Sequence, residues 1–278
     1  MRAEADRARS AIGNTELIHI FQDNKHFLAT EMLRQYGKAK ERGVPIAHQY
    51  YIGQAKIMEP RRLYQQIADQ IRELIDSGEF QPGSRLPPER ELAQRLGVSR
   101  PSLREGLIAL EIDGSVEIRM GSGVYVSTEP AQPATRSLGE SPTELMQARA
   151  AIEGTTIVLA ASRVDDASLA TLRSTLQAMR AEIEAGRKPL DQDRQFHVLI
   201  AEQSGNSVLA RLIADLFDER HSPMSAQFRV KFEDKDTWTF ALQEHEAILA
   251  ALEAKDPLLA QSAMHSHLDS SRRRWVEN

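Results

Sequence analysis

Four residues in the C-terminal half of the chain have side chains that commonly bind transition metals. Asp193 and His197 are four residues apart, so a helix would place them on one face. His245 and His267 are 22 positions apart, which allows one helix to end near Asp256-Pro257 and the next to return antiparallel. That path can bring all four side chains together. One carboxylate and three imidazoles suit Zn, Ni, Mn or Fe and leave coordination positions open.

The same residues allow two other interpretations. They can be ordinary surface or hydrogen-bonded core histidines, because the sequence does not give the order of the helices in space. They can also hold a metal that activates water, as in a metal-dependent hydrolase. A hydrolase needs a general base, and the only candidate is Glu244, next to His245. Adjacent helical residues point about 100° apart, which places Glu244 poorly for that role.

A second set of residues has the types and spacing that bind DNA. Arg100 and Arg104 are four residues apart in a predicted helix, and we expect them to share its exposed face. An arginine can donate two hydrogen bonds to guanine O6 and N7 in the major groove. Ser99 is a favourable N-cap for this helix. Ser99 and Ser102 can both donate to phosphate oxygens, as can the free amides of the helix N-terminus.

The segment around these arginines, residues 58–128, predicts a winged helix-turn-helix. It carries three helical patterns, the first with an apolar stripe of Leu63, Ile67, Ile71 and Ile75. Apolar and polar residues then alternate on both sides of a glycine-rich tip, which is typical of a β-hairpin. In a helix-turn-helix the second helix of the motif enters the major groove. DNA binding is therefore the function that this order of elements favours.

The chain after this segment is predicted to be helical. Residues 129–141 are rich in Pro, Ser, Thr and Gly and are expected to form a linker. Residues 142–278 contain about six amphipathic helices, which would pack as a bundle. The predicted fold class is therefore mostly α: an N-terminal winged helix-turn-helix followed by an all-α bundle.

Residues 1–57 contain no motif, repeat or consistent packing face. Two interpretations stay open for them: a loosely ordered extension, or a natural start at Met58, where a complete domain begins. The chain has no cysteine, so any metal site must use His, Asp or Glu. It also has no run of about 18 apolar residues, which a membrane span would need. We expect a cytoplasmic protein without a membrane partner.

A longer stretch resembles the DNA-binding domain of GntR-type transcription regulators. The matching segments are PGSRLPPERELAQRLGVSR, LREGLIALEIDG and the wing RMGSGVYV. The resemblance implies a homodimer that binds an inverted repeat in double-stranded operator DNA, and we expect it to act as a repressor. The DNA contacts that the resemblance implies are Arg90, Ser99, Arg100, Ser102, Arg104 and Gly121.

Residues 142–278 resemble the helical effector domain of the FCD type found in FadR-like members of that family. The matching segments are ELMQARAAIEGTTIVLAA, DRQFHVLIAEQSGNSVL and EHEAILAALEAKDPLLAQSAMHSHL. The resemblance implies a divalent transition metal, Zn, Ni or Mn. Its ligands fall on Asp193, His197, His245 and His267, whereas His265 does not match a ligand position.

Members of this type commonly bind a carboxylate-bearing metabolite beside the metal. The resemblance places Arg149 where it can clamp that carboxylate. The alternative for Arg149 is an ion pair with Glu153 at i+4, worth about 0.3–0.5 kcal/mol on a surface. The segments EPRRLYQQ and RMGSGVYV look most like regulators of sugar-acid (hexuronate) catabolism. The sequence thus predicts a regulator controlled by a small carboxylate effector, without catalytic residues, and the hydrolase is its alternative.

Overall fold

The computed structural model describes residues 62–131 and 137–276. The expected extension, residues 1–57, and the middle of the expected linker lie outside these ranges. Ten α-helices and one two-stranded antiparallel sheet occur in the described residues. The fold class predicted from the sequence is therefore confirmed. The N-terminal elements are α1 (Leu63–Asp76), α2 (Glu89–Leu96), α3 (Arg100–Ile112), β1 (Val116–Arg119) and β2 (Gly123–Val126).

Helix α1 packs against α3 through an apolar face that differs slightly from the predicted stripe. Ile67 and Ile71 are buried, but Leu63 is 50% exposed, and Tyr64 takes its place in the core. The Tyr64 hydroxyl donates to the Gly139 carbonyl at 2.9 Å, which satisfies its polar end. The helix is therefore rotated so that the aromatic ring, rather than the first leucine, faces inward.

Helices α2 and α3 form the expected tight turn. Gly97 ends α2 in the left-handed conformation, with φ of 67°, which a glycine adopts at little cost. Ser99 caps α3, as predicted, by accepting a hydrogen bond from the Ser102 amide at 3.2 Å. Leu103 and Leu107 then anchor α3 in the core. The turn leaves the N-terminal end of α3 at the surface.

The wing is a hairpin of β1 and β2, with Val116 paired to Val126 and Ile118 paired to Val124. The alternating pattern buries the valines on one face, as a half-buried strand requires. At the tip, Gly121 is exposed and has φ of 72°. The predicted hairpin is confirmed, and a Cβ placed at Gly121 would meet no heavy atom of the described residues within 4 Å.

The C-terminal domain is an all-helical bundle. It has one helix more than predicted among the described residues, because Ser222 caps a helix that Pro223 begins. Proline fits a first helical turn, so Pro223 starts a helix where the sequence suggested only a break. No helix in the described ranges is both long and apolar enough to cross a membrane. The helices are α4 (Pro142–Ala161), α5 (Asp166–Glu184), α6 (Leu190–Gln203), α7 (Ser207–Asp218), α8 (Pro223–Phe232), α9 (Lys235–Glu253) and α10 (Pro257–Val276).

Helix α4 lies at the centre of this bundle, in contact with α6 and α10, and α9 packs against α5 and α10. Ile157, Phe196 and Ile248 are fully buried where these helices meet. The packing brings α4, α6, α9 and α10 around one region of the core. These are the helices that carry the predicted metal ligands and Arg149.

Candidate metal centre and nucleic-acid interface

The four predicted ligands meet in the core of the bundle. Asp193 and His197 come from α6, His245 from α9 and His267 from α10. One ligand atom from each lies within 4.8 Å of all the others, and each residue is at most 4% exposed. The convergence expected from the i, i+4 pair and the antiparallel return is therefore present.

The ring nitrogens face a common centre. His197 Nε2 lies 3.0 Å from His245 Nε2, and His245 Nε2 lies 3.3 Å from Asp193 Oδ1. The His267 ring completes the group, with its centroid 4.3 Å from that of His245. Such a concentration of donor atoms in a buried region is the usual arrangement of a metal site.

Two carboxylates outside this group orient the rings. Glu153 on α4 is hydrogen-bonded to His197 Nδ1, and Glu244 on α9 accepts from His267 Nδ1 at 2.9 Å. A carboxylate on Nδ1 fixes the ring and leaves Nε2 to bind a metal. Burial raises the pKa of Glu153, but the charges of Arg149 and His197 outweigh it and lower that pKa to about 2. Glu153 therefore stays ionised as a partner of His197.

The donor set fits a divalent transition metal. Burial lowers the pKa of His245, and burial together with the neighbouring His245 lowers the pKa of His267 to about 3. Neutral imidazole is the form that binds metals. Burial opposes ionisation of Asp193, but the guanidinium of Arg220 holds its pKa well below the usual value. The centre therefore offers one anionic and three imidazole ligands.

His265 is excluded from the centre, as the sequence predicted for a residue two positions from His267. Its side chain is exposed and packs against the backbone at Gly154. Residues two apart on a helix point to nearly opposite sides, so only His267 can reach the core. His265 is therefore a matched control for the buried histidines.

A small cavity of about 40 Å³ borders the centre. Asp193 and His267 line it on one side, and Arg149, Arg220 and Arg274 line it as well. The volume holds only about two or three water molecules. Each of the three arginines is paired with a carboxylate, so a divalent metal at this group would add the positive charge that favours a negatively charged occupant. The remaining lining residues are Met146, Phe232, Glu233, Thr237, Trp238, Ala241, Ser271 and Trp275.

Several polar atoms at this cavity have no hydrogen-bond partner among the described residues. They are Arg149 Nη2, Arg220 Nε, Trp238 Nε1 and Glu233 Oε2. A buried polar atom without a partner costs about 1–3 kcal/mol. Three donors and one acceptor of this kind indicate that a polar molecule completes the hydrogen bonding here.

Arg149 forms the ion pair with Glu153 that the sequence offered as the alternative to a carboxylate clamp. Its Nε donates to Glu153 Oε1 at 2.7 Å, and its guanidinium stacks on the Phe217 ring at 4.0 Å. This pair is buried, so the value for a surface ion pair does not apply to it. The Nη2 group is left over for another partner.

Sequence reasoning missed four residues of this site: Arg220, Glu233, Trp238 and Arg274. None belongs to a recognisable spacing, and Arg220 lies in a short 3₁₀ turn between helices. It also missed the roles of Glu153 and Glu244. Glu244 is adjacent to His245 and Glu153 is four residues from Arg149, but their bonds to histidine rings form only when the helices pack.

The expected DNA-binding residues lie around α3 and the wing tip. Arg90, Ser99, Arg100 and Gly121 are exposed, and Ser102 is half-buried. Arg100 thus presents a cation at the surface of this domain, and Gly121, which has no side chain, would allow DNA to approach the backbone of the wing closely. These are features that contact phosphates and base edges in winged helix-turn-helix proteins.

The expectation that Arg104 shares an exposed face with Arg100 is wrong for this conformation. Arg104 is only 7% exposed, and its Nη2 donates to Glu89 Oε2 at 2.9 Å. Its guanidinium also lies 5.4 Å from the Phe232 ring centroid. Arg104, in the second turn of α3, is covered by the Phe232 ring of α8 and the Trp275 carbonyl of α10, contacts that the sequence of α3 does not reveal.

Comparison with known proteins matches both parts of the chain. A family model described as "Bacterial regulatory proteins, gntR family" matches residues 63–126, and one described as "FCD domain" matches residues 144–270. The "Uxu operon transcriptional regulator" of Escherichia coli K12 is 36% identical over 226 residues, covering 78% of this chain and 88% of the relative.

Two further matches are similar in extent. The "Exu regulon transcriptional regulator" of Escherichia coli K12 is 35% identical over 226 residues, covering 78% of this chain and 86% of that relative. Among solved structures, "Streptococcus agalactiae GntR" is 29% identical, covers 76% of this chain and 99% of its own, and has a TM-score of 0.42.

Proposed function

The chain belongs to the GntR family of bacterial regulatory proteins and carries an FCD domain. We propose that this transcriptional regulator is a repressor whose DNA binding is controlled by a carboxylate metabolite bound beside a metal. Residues 58–128 act as the DNA-binding domain, 129–141 as the linker and 142–278 as the effector domain. The observation that carries the proposal is the buried group of Asp193, His197, His245 and His267 at the edge of a cation-lined cavity.

The metal is held by those four residues and is a divalent transition ion such as Zn, Ni or Mn. A metal in this position supplies an open Lewis-acid site to a carboxylate oxygen. Arg149 Nη2 and Arg220 Nε, both without partners in the described residues, are placed to bind the second carboxylate oxygen or a neighbouring hydroxyl.

A sugar acid is the effector that this lining suits best. Trp238 Nε1 offers a donor and Glu233 Oε2 an acceptor, so hydroxyl groups as well as a carboxylate find partners. Two relatives are named as regulators of the Uxu operon and the Exu regulon. We therefore propose a hexuronate as the effector class.

DNA binding is assigned to Arg90, Ser99, Arg100, Ser102, Arg104 and Gly121, in a homodimer on an inverted repeat. The exposed N-terminal end of α3 supports the assignment for Arg100, which is free to enter the major groove. In a dimer, two such helices must match half-sites about one helical turn apart, so a small rotation between them changes affinity.

The hydrolase alternative has no support in the site. Glu244, the candidate base that the sequence offered, is engaged by His267 and by Arg274 at 2.9–3.0 Å. Burial raises the pKa of Glu244, but the hydrogen bonds from His267 and Arg274 lower it to about 2. A base poised near neutral pH has a pKa closer to 7.

Two measurements on purified full-length protein test the proposal. Elemental analysis should find about one transition-metal ion per subunit. A gel shift with DNA from the promoter beside the gene should show binding that D-glucuronate or D-galacturonate changes. Purified protein that contains no transition metal, or metal-loaded protein that binds the promoter equally well with and without either acid, would overturn the proposal.

A further inference from the structure

Arg104 is enclosed by contacts from two sides. On the DNA-binding domain, Glu89 accepts from its Nη2 at 2.9 Å and from its Nε at 3.4 Å. On the helical domain, the Phe232 ring lies under its guanidinium, and the Trp275 carbonyl lies 3.5 Å from its Nη1. The arginine is thus held between the two domains.

Phe232 and Trp275 also line the effector cavity. The same two residues therefore form a wall, with the cavity on one side and Arg104 on the other. Phe232 borders a second cleft as well, together with Arg104 and the wing tip from Met120 to Gly123. Phe232 thus lines the cavity and also contacts Arg104 through its ring.

Phe232 is the part of this wall that can yield. Asp193, Arg149 and His267 belong to the packed centre of the bundle and are buried. Phe232 is half-buried and is the last residue of α8, after which Glu233 adopts an extended backbone. A six-carbon acid needs far more room than two or three waters. Its entry must displace side chains at this end of the cavity.

We propose that Phe232 and Trp275 act as a latch, meaning that they hold Arg104 away from DNA. An occupant of the cavity displaces these side chains and so releases Arg104. The inference rests on the proposed function, because it takes Arg104 as a DNA contact. In the latched arrangement only Arg90 and Arg100 of the three arginines are exposed. Opening the latch adds a third cation to the DNA-binding surface.

The first test measures DNA affinity as a function of salt for wild type and Phe232→Ala, without effector. Release of one cation per subunit to a phosphate steepens the slope of log K against log salt by about 0.9 per subunit, or about 1.8 for a homodimer. Affinity at low salt should rise about tenfold, within the range that one arginine contact contributes. Val230→Ala is the control, because Val230 is on the same helix and 75% exposed.

A second test needs no DNA. Dicarbonyl reagents modify exposed guanidinium groups, so mass spectrometry can compare the modification rate of Arg104 with that of exposed Arg100 in one sample. Phe232→Ala should raise the Arg104 rate at least fivefold and leave the Arg100 rate unchanged, and Val230→Ala should change neither. Phe232→Leu, which keeps the apolar volume but loses the ring, should give an intermediate rate and serves if the alanine variant is unstable.

The two tests separate the latch from the proposed function. The latch proposal is wrong if Arg104 is modified as fast as Arg100 in the wild-type protein. It is also wrong if the modification rate of Arg104 is the same in wild type and in both Phe232 variants. If the Arg104 rate rises as expected but no variant or wild type binds promoter DNA, the latch holds and the proposed function fails. If DNA affinity rises without a steeper salt slope, Phe232 acts on something other than Arg104.

Discussion

His197 Nε2 lies 3.0 Å from His245 Nε2 in the core of the helical domain, although the two residues are 48 positions apart. Burial lowers the pKa of His245, which favours the neutral ring that binds metals. His245→Ala should therefore reduce bound metal from about one ion per subunit to near zero and abolish the effect of a chelator on melting. Elemental analysis and thermal melting with and without chelator measure both.

The control for this change is His265→Ala, which removes an exposed histidine from the same helix that carries His267. It should keep the metal and the chelator response of wild type. Loss of metal in both variants would indicate a general effect on folding. Loss of metal in neither variant would mean that the three histidines are ordinary core residues with an aspartate nearby.

Arg100→Ala should abolish specific operator binding without lowering the melting temperature. Arg100 is exposed at the start of α3, and one bidentate arginine contact to guanine contributes about 1–3 kcal/mol of discrimination. Fluorescence anisotropy with promoter DNA and with unrelated DNA measures the loss. Arg211→Ala, which removes an exposed arginine from α7, should bind as wild type does. Wild-type specificity in Arg100→Ala would remove this residue from the interface.

Gly106→Ala should destabilise the DNA-binding domain. A Cβ at Gly106 would lie 2.6 Å from Ile67 Cγ2 and 3.0 Å from Ile67 Cβ, so α1 and α3 would have to move apart. Overpacking of this kind costs about 1–3 kcal/mol, which outweighs the gain of up to about 1 kcal/mol in helix propensity.

Gly154→Ala is the matched change in α4, because there the obstacle is the exposed ring of His265, which can swing away. Thermal melting should show a lower transition for Gly106→Ala and little change for Gly154→Ala. Equal melting temperatures for the two variants would mean that the contact between α1 and α3 adapts freely.

Glu105 should make the stability of the domain contact depend on pH. It is buried in α3 and accepts from Ser141 Oγ and from the Thr143 amide, which links α3 to the start of α4. Burial raises the pKa of Glu105 above its usual value of 4.5, with the hydrogen bonds from Thr143 and Ser141 opposing. A raised pKa means that the folded state favours the protonated acid.

The stabilisation from protonated Glu105 is therefore complete below pH 4.5 and is lost as the pH rises through the raised pKa. Glu105→Gln removes this titration. Denaturant unfolding from pH 4 to 7 should show the free energy of unfolding of wild type falling relative to that of the variant. If the free energies of unfolding of wild type and Glu105→Gln changed with pH in parallel, the prediction would be wrong. Glu184→Gln, at an exposed position in α5, is the control, and its curve should run parallel to that of wild type.

The local elements could be predicted from the sequence because they depend on spacing, whereas spacing only allowed the four ligands to meet and the resemblance to the FCD domain selected them. Ser99 as a cap and the alternation in the wing are local, and the i, i+4 pair of Asp193 and His197 fixes one face of α6. Only one turn separates the helix of His245 from the helix of His267, which restricts how the second helix can return alongside the first.

The remainder depends on which helices touch, and spacing does not contain that information. Arg104 was expected at the surface because α3 alone exposes it, but α8 and α10 cover it. Arg220 sits in an irregular turn and reaches Asp193 only through tertiary packing. Glu153 was visible as a partner of Arg149, but its bond to His197 required the packing of α4 on α6.

The central claim, that a metal-bound carboxylate controls DNA binding, is tested most directly by one titration. Promoter DNA affinity is measured by anisotropy with metal-loaded wild-type protein as D-glucuronate or D-galacturonate is added, and again after chelation. The account predicts at least a tenfold change in affinity with one of the acids, and less than a twofold change after chelation. Unchanged affinity of the metal-loaded protein with both acids, or the same response after chelation, would contradict it.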